Sequence, residues 1–208
     1  VKLSARLWEA QREVVARILT HPFVQGLASG ALPRAKFVAY LSQDALFLDA
    51  FLRAYALALA KVPDREGQHT LYTLMGGVLD ELKLHRAYAR EWGFPLEVTP
   101  HPATLHYTDF LLHTAALEDP GAILAAMTPC MRLYAYLGQN LRADLAPDSP
   151  YRSWVETYAS EAFEALAQTL ESLLDRYGQD TPTLRARYAR AIQLEEAFFD
   201  AFWKGGTA

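Results

Sequence analysis

The chain has 208 residues, of which 51% are apolar, 12% aromatic and 21% charged, a globular composition that excludes a disordered or low-complexity polypeptide. Twenty Lys and Arg against 24 Asp and Glu leave a net charge of −4, and no basic run offers a footprint for a nucleic-acid backbone, so direct nucleic-acid binding is not expected. A single cysteine, Cys130, excludes an internal disulfide and a Cys-x-x-Cys zinc site, and no apolar run is long enough for a signal peptide or a membrane span; the expectation is a cytoplasmic protein with no membrane partner.

Apolar residues recur at intervals of three and four rather than two, so the chain reads as all-α, with helices over about 4–20, 33–61, 65–92, 102–118, 120–145, 150–177 and 182–204. Five prolines, Pro33, Pro102, Pro120, Pro150 and Pro182, stand where a helix begins, because the first helical position does not use its N–H and favours a fixed φ. Gly93 and Gly178 stand where a left-handed residue ends a helix. Short connections and the absence of a repeat or linker predict one domain of about seven helices over residues 1–208.

Within this pattern, two acidic residues conflict with their own helical faces. Asp44 has apolar or aromatic neighbours at Tyr40, Leu41, Phe47 and Leu48, and Glu195 at Ala191, Ile192, Phe198 and Phe199. A carboxylate carried into a core costs several kcal/mol unless paired, so both positions imply partners, supplied by another helix or by a ligand. Glu164, by contrast, reads as solvated. Pro129 falls inside a helix, where it removes one hydrogen bond and bends the axis; Cys130 follows it, and Tyr134 lies one turn later on the same face.

Aromatic residues spread over several helices, among them Tyr40, Phe47, Tyr107, Tyr134, Tyr136, Tyr158, Phe198 and Phe199, supply core and cavity walls. Such a cavity with two carboxylates suits a flat, nitrogen-rich heterocycle. Glu81 and His85 read as a local i,i+4 structural pair. His106, Asp109 and His113 spread over too much helix to grip one ion easily, and no Glu-x-x-His occurs in the C-terminal half, so no metal is expected.

The chain resembles the TenA family, also called thiaminase II or aminopyrimidine aminohydrolase, over nearly its whole length. The resemblance rests on His21-Pro22-Phe23 through Gly30-Ala31-Leu32-Pro33, on Gln43-Asp44-Ala45-Leu46-Phe47-Leu48, on Pro129-Cys130 with Tyr134 and Gly138, on Trp154 with Tyr158, and on Glu195 with Phe198. It implies a heme-oxygenase-like helical bundle, assembly as a homotetramer, and cofactor-free hydrolysis of a C–N bond on a thiamin-derived aminopyrimidine, or thiamin itself, to hydroxymethyl pyrimidine. Carried over residue by residue, it makes Cys130 the nucleophile, gives Asp44 and Glu195 the ring and its proton transfers, and lines the site with Tyr107, Tyr134, Tyr158, Phe47 and Phe198. The chain departs from the family at Phe47, where tyrosine is usual, and at Leu194-Glu195-Glu196 in place of Tyr-Glu-Tyr; the latter sets a second acid beside the catalytic candidate, and both changes bear on which pyrimidine is preferred. The competing functions are a non-catalytic pyrimidine-binding or regulatory protein, and an oxidase related by fold only.

Overall fold

A computed structural model describes residues 1–205, so Gly206 to Ala208 of the expected 1–208 unit lie outside the described residues. The described residues form ten helices and no strand: α1 (Leu3–Glu9), α2 (Arg12–Thr20), α3 (Pro22–Ser29), α4 (Arg34–Lys61), α5 (Arg65–Trp92), α6 (Pro102–Leu117), α7 (Pro120–Arg142), α8 (Arg152–Ala159), α9 (Glu161–Tyr177) and α10 (Pro182–Lys204). The all-α class holds, and the count of about seven is corrected to ten. The expected 4–20 helix divides because Gln11 leaves helical geometry (φ −104°, ψ 7°), which lets α1 pack on α9 while α2 packs on α10. The expected 150–177 helix divides at Ser160, an extended residue whose hydroxyl accepts from Phe163 N and starts a new helix. Helix α3 went unread, although it carries the same start signature: Pro22 opens it, and the His21 ring accepts from Phe23 N.

Pro102, Pro120 and Pro182 take the first helical position, capped by His101, Asp119 and Thr181. Pro33 precedes α4 as its N-cap, and Pro150 sits in a turn ahead of α8, so neither opens a helix as expected. Gly93 ends α5 in the left-handed region (φ 71°), whereas Gly178 is extended (φ −77°, ψ 138°). What requires a glycine at 178 is space: a Cβ there would stand 2.5 Å from Leu174 O.

Two long helices organise the interior. Helix α4 packs against α5, α6, α7 and α10, and α7 packs against α3, α4, α6, α8, α9 and α10. Between Gly121 and Tyr134, Arg132 alone on α7 is not fully buried, as expected of a helix apolar on nearly every side. Arg132 reaches outward to two acids on α9: its guanidinium donates to both oxygens of Glu171 and of Glu164, so Glu164 is held in an ion pair rather than solvated as expected. Helix α7 runs through Pro129, and the Thr128 hydroxyl donates to Leu124 O within the same turn at 2.7 Å.

Gly138 fixes the approach of α8 to α7, since a Cβ there would lie 2.5 Å from both Ala159 N and Tyr158 C. Gly138→Ala is therefore expected to lower stability by about 1–3 kcal/mol, because backbone rather than a flexible side chain would have to move. Gly76→Ala, in open space on α5, is expected to gain up to about 1 kcal/mol from helix propensity. Urea unfolding midpoints of the two variants against the parent check both signs.

Candidate functional site

The site is assembled from the inward faces of α4, α5, α6, α7, α8 and α10. On α4 the apolar stripe Tyr40, Leu41, Phe47 and Leu48 is buried, and Asp44 goes in with it, 4% exposed. The preceding residue secures the neighbouring loop: Gln43 donates to Thr99 O (2.9 Å) and accepts from His101 N (2.9 Å) and from the Thr104 hydroxyl (2.6 Å). The Gln-Asp pair thus divides its labour between the 93–101 connection and the interior.

The partner of Asp44 comes from α5. The buried register of that helix, Leu71, Leu74, Val78, Glu81, His85 and Tyr88, steps by three and four and carries Glu81 and His85 into the core. His85 Nε2 meets Asp44 Oδ2 at 2.7 Å and His85 Nδ1 meets the Glu81 carbonyl oxygen at 2.8 Å, so the ring is held at both ends. The Glu81 carboxyl is free for other contacts, and Tyr158 from α8 donates to its Oε2 at 3.1 Å.

From the opposite side, α10 carries Glu195, 2% exposed, whose Oε1 accepts from the Tyr107 hydroxyl of α6 at 2.6 Å. On α7, Cys130 is buried and close enough to Glu195 for each to perturb the other, while the Tyr134 hydroxyl pairs with that of Tyr40 at 2.6 Å. Aromatic rings close the space around these groups. Phe47 packs on Tyr107 with centroids 4.5 Å apart, Phe198 meets Tyr40 edge-on at 5.7 Å, and Tyr134 meets Tyr158 at 4.9 Å.

Burial in this space raises the carboxyl pKa of both Glu81 and Glu195 to about 8. The charge of Asp44 adds to each, while hydrogen bonds from Tyr158 and Tyr107 pull the other way. For His85, burial works against the charged ring, but the hydrogen bond and charge of Asp44 outweigh it, and its pKa ends above the ordinary value. Burial pushes the Cys130 thiol well up, and the carboxyls of Glu195, Glu81 and Asp44 push it further, so the resting group is a thiol and not a thiolate.

The eight residues that the resemblance places in the site, Asp44, Phe47, Tyr107, Cys130, Tyr134, Tyr158, Glu195 and Phe198, are buried, whereas Tyr136, named among the walls, is half-buried and meets Trp8 edge-on at 5.6 Å. Glu81 and His85 form the expected i,i+4 hydrogen bond, through the Glu81 backbone, but the other histidine nitrogen and the Glu81 side chain both reach across to other helices, which the sequence reading missed. Their place in the buried register of α5 was the signal. Tyr55 was also missed; its buried hydroxyl, in the field of Cys130 and Glu81, has no hydrogen-bond partner among the described residues. Glu196 points away from the site and forms a two-pronged ion pair with Arg17 of α2 at 3.0 and 3.1 Å, so it adds no second acid there. Neighbours on a helix are turned about 100° apart, and the site takes only one of the two.

A model of the TENA/THI-4/PQQC family matches residues 8–205. An aminopyrimidine aminohydrolase from Halalkalibacterium halodurans is 32% identical over 96% of this chain and 95% of its own. The mitochondrial bifunctional TH2 protein of Arabidopsis thaliana is 35% identical over 96% of this chain; the chain spans 37% of that relative's length. Among solved structures, a TenA homologue from P. horikoshii OT3 superposes with a TM-score of 0.90 at 27% identity, covering 99% of this chain and 100% of the other. A domain with a heme oxygenase-like fold from Shewanella denitrificans superposes at 0.76 with 16% identity, over 96% of this chain and 91% of its own, a likeness of fold alone.

The two raised carboxyl groups set the pH dependence of stability. Between about pH 4.5 and 8, folded Glu81 and Glu195 keep protons that the unfolded chain has released, so stability falls as pH rises through that window and levels off above it. His85, with its folded pKa raised, acts in the same direction, its contribution being lost as pH passes its folded value. Glu195→Gln, which keeps the shape of the neutral acid, is expected to make the decline shallower by up to about 1.4 kcal/mol per pH unit. Urea unfolding at pH 5, 6.5 and 8 measures the slope; an unchanged slope would place the Glu195 titration elsewhere.

Proposed function

The chain belongs to the TENA/THI-4/PQQC family, and from that premise we propose that it hydrolyses the exocyclic C–N bond of a thiamin-derived aminopyrimidine, giving the hydroxymethyl pyrimidine. The observation that carries the reading is the meeting of one thiol and two differently held carboxyls in an aromatic enclosure: Cys130 beside Glu195, with Asp44 across from them. The relative from Halalkalibacterium halodurans, matched over nearly all of both chains and named an aminopyrimidine aminohydrolase, supports the same class.

The chemistry follows from the resting protonation. Neutral Glu195 gives its proton to a ring nitrogen of the bound pyrimidine, which makes the ring a better electrophile and leaves a carboxylate beside the thiol. That carboxylate takes the Cys130 proton as sulfur bonds to a ring carbon, so the thiol adds across the ring with no charge created in the enclosure. Glu195, neutral again with the thiol proton, gives that proton to the amine, and the electron-rich adduct expels it as ammonia, breaking the C–N bond. Water then bonds to the exocyclic carbon and gives a proton to the Glu195 carboxylate, and sulfur leaves the ring with the proton held on the ring nitrogen, so that the thiol, the neutral acid and aromaticity are all restored. Asp44 accepts from the ring amino group, Tyr107 orients Glu195, and Tyr158 and Tyr134 wall the space with Phe47 and Phe198. The reading extends to thiamin as an alternative substrate and to a homotetramer.

A second reading is favoured by the thiol itself, which burial holds protonated: a pyrimidine-binding protein without turnover. Product formation from aminomethyl aminopyrimidine and from thiamin, with the parent and Cys130→Ser, separates the two. Hydrolysis in the parent, abolished in Cys130→Ser with pyrimidine affinity kept, is expected; binding without turnover in the parent would select the second reading. Asp44→Asn is expected to weaken pyrimidine affinity by roughly tenfold or more as well as rate, because an amide offers one acceptor oxygen where the carboxyl offers two, one of them engaged by His85.

A further inference from the structure

We propose that His85 is a positioning residue that keeps a proton between its Nε2 and Asp44 Oδ2, and so fixes the other oxygen, Oδ1, as an acceptor that selects a ring bearing an amino group. The inference deepens the aminopyrimidine reading above and rests on it for the identity of the ring.

The argument is one of proton count. The Glu81 backbone oxygen can only accept, so at 2.8 Å from it His85 Nδ1 carries a hydrogen and donates. That leaves Nε2 to face Asp44 Oδ2 at 2.7 Å, a separation that needs a proton between two electronegative atoms. Whether that proton sits nearer nitrogen or oxygen, the pair as a whole is neutral and Oδ2 is engaged. Among the described residues the bond to His85 is the one side-chain hydrogen bond found on Asp44, and it engages Oδ2. A carboxyl whose proton is pinned on its far side presents a bare oxygen to a ligand, and a bare oxygen is matched by N–H.

Without His85, Asp44 would stand 4% exposed among acids alone. The groups that share its field are Glu81 on α5, Tyr40 on α4, Tyr107 on α6, Cys130 and Tyr134 on α7, Tyr158 on α8 and Glu195 on α10, and none of them is a cation. With no donor held against Oδ2, nothing would fix which oxygen faces a ligand or keep a hydrogen off Oδ1. The raised pKa of His85 agrees with the ring serving as the proton's holder.

Two measurements test this. The first needs no ligand: 15N shifts of the His85 imidazole in the parent protein are expected to show Nδ1 protonated from pH 6 to 9. An Nε2–H tautomer with bare Nδ1 would overturn the proposal. The second compares the affinities of hydroxymethyl aminopyrimidine and its counterpart lacking the amino group. His85→Leu is expected to weaken the amino compound by roughly ten- to hundredfold and the other less than about threefold. His85→Gln, whose amide can still donate to Oδ2, is expected to restore most of the difference and covers the case in which the leucine variant does not fold. Equal losses for both compounds in His85→Gln would reduce His85 to a packing role. Failure of the aminopyrimidine reading is separable, since it would show as absent binding in the parent while the tautomer result stood.

Discussion

The constraint on which the site depends is a shortage of positive charge. Asp44, Glu81 and Glu195 lie in a helical interior with one imidazole among them, and a low-dielectric space does not hold three carboxylates against a single cation. The imbalance is resolved by protonation: His85 is matched to Asp44, and the two glutamates keep their protons into the neutral range. One acidic group is thereby prepared to accept and two to donate, although all three are carboxyls. Their environments, rather than their residue types, assign these roles.

The fold serves this arrangement through close contacts made by residues other than the acids. Gly138 lets α8 settle on α7, and that descent brings Tyr158 within reach of Glu81. Gln43 secures the 93–101 connection one residue before Asp44, which keeps α4 and the start of α6 in register and with them Tyr107. Arg132 faces out of α7 to grip α9, so the side of α7 that carries Cys130 and Tyr134 is left to the interior. Gly138 lies one helical turn from Tyr134, Gln43 one residue from Asp44, and Arg132 two residues from both Cys130 and Tyr134.

Asp44, Cys130 and Glu195 were legible in the sequence because each broke a local rule: two acids on apolar faces, and a cysteine behind a proline inside a helix. Glu81 escaped the same test because its i+4 neighbour is His85, and two polar residues on one stripe look like a satisfied pair until the stripe itself is recognised as the buried one. The link from His85 to Asp44 spans 41 positions, and nothing local encodes it. Helix breaks at Gln11 and Ser160 were invisible for another reason: the apolar period continues across both, and what changes is the helix each half packs against. Glu196 was credited to the site by sequence adjacency, which on a helix is the wrong measure of nearness.

The enclosure has a kinetic corollary. Phe198 and Phe202 pack at 4.9 Å, His101 lies on Phe202 at 5.2 Å, and every polar group of the site is at most 8% exposed. A ligand reaches groups so deeply buried only when surrounding side chains part, so the frequency of that opening is a ceiling on any exchange at the site. Selection pressure on speed would then fall on the side chains that enclose the site, and not on the acids themselves.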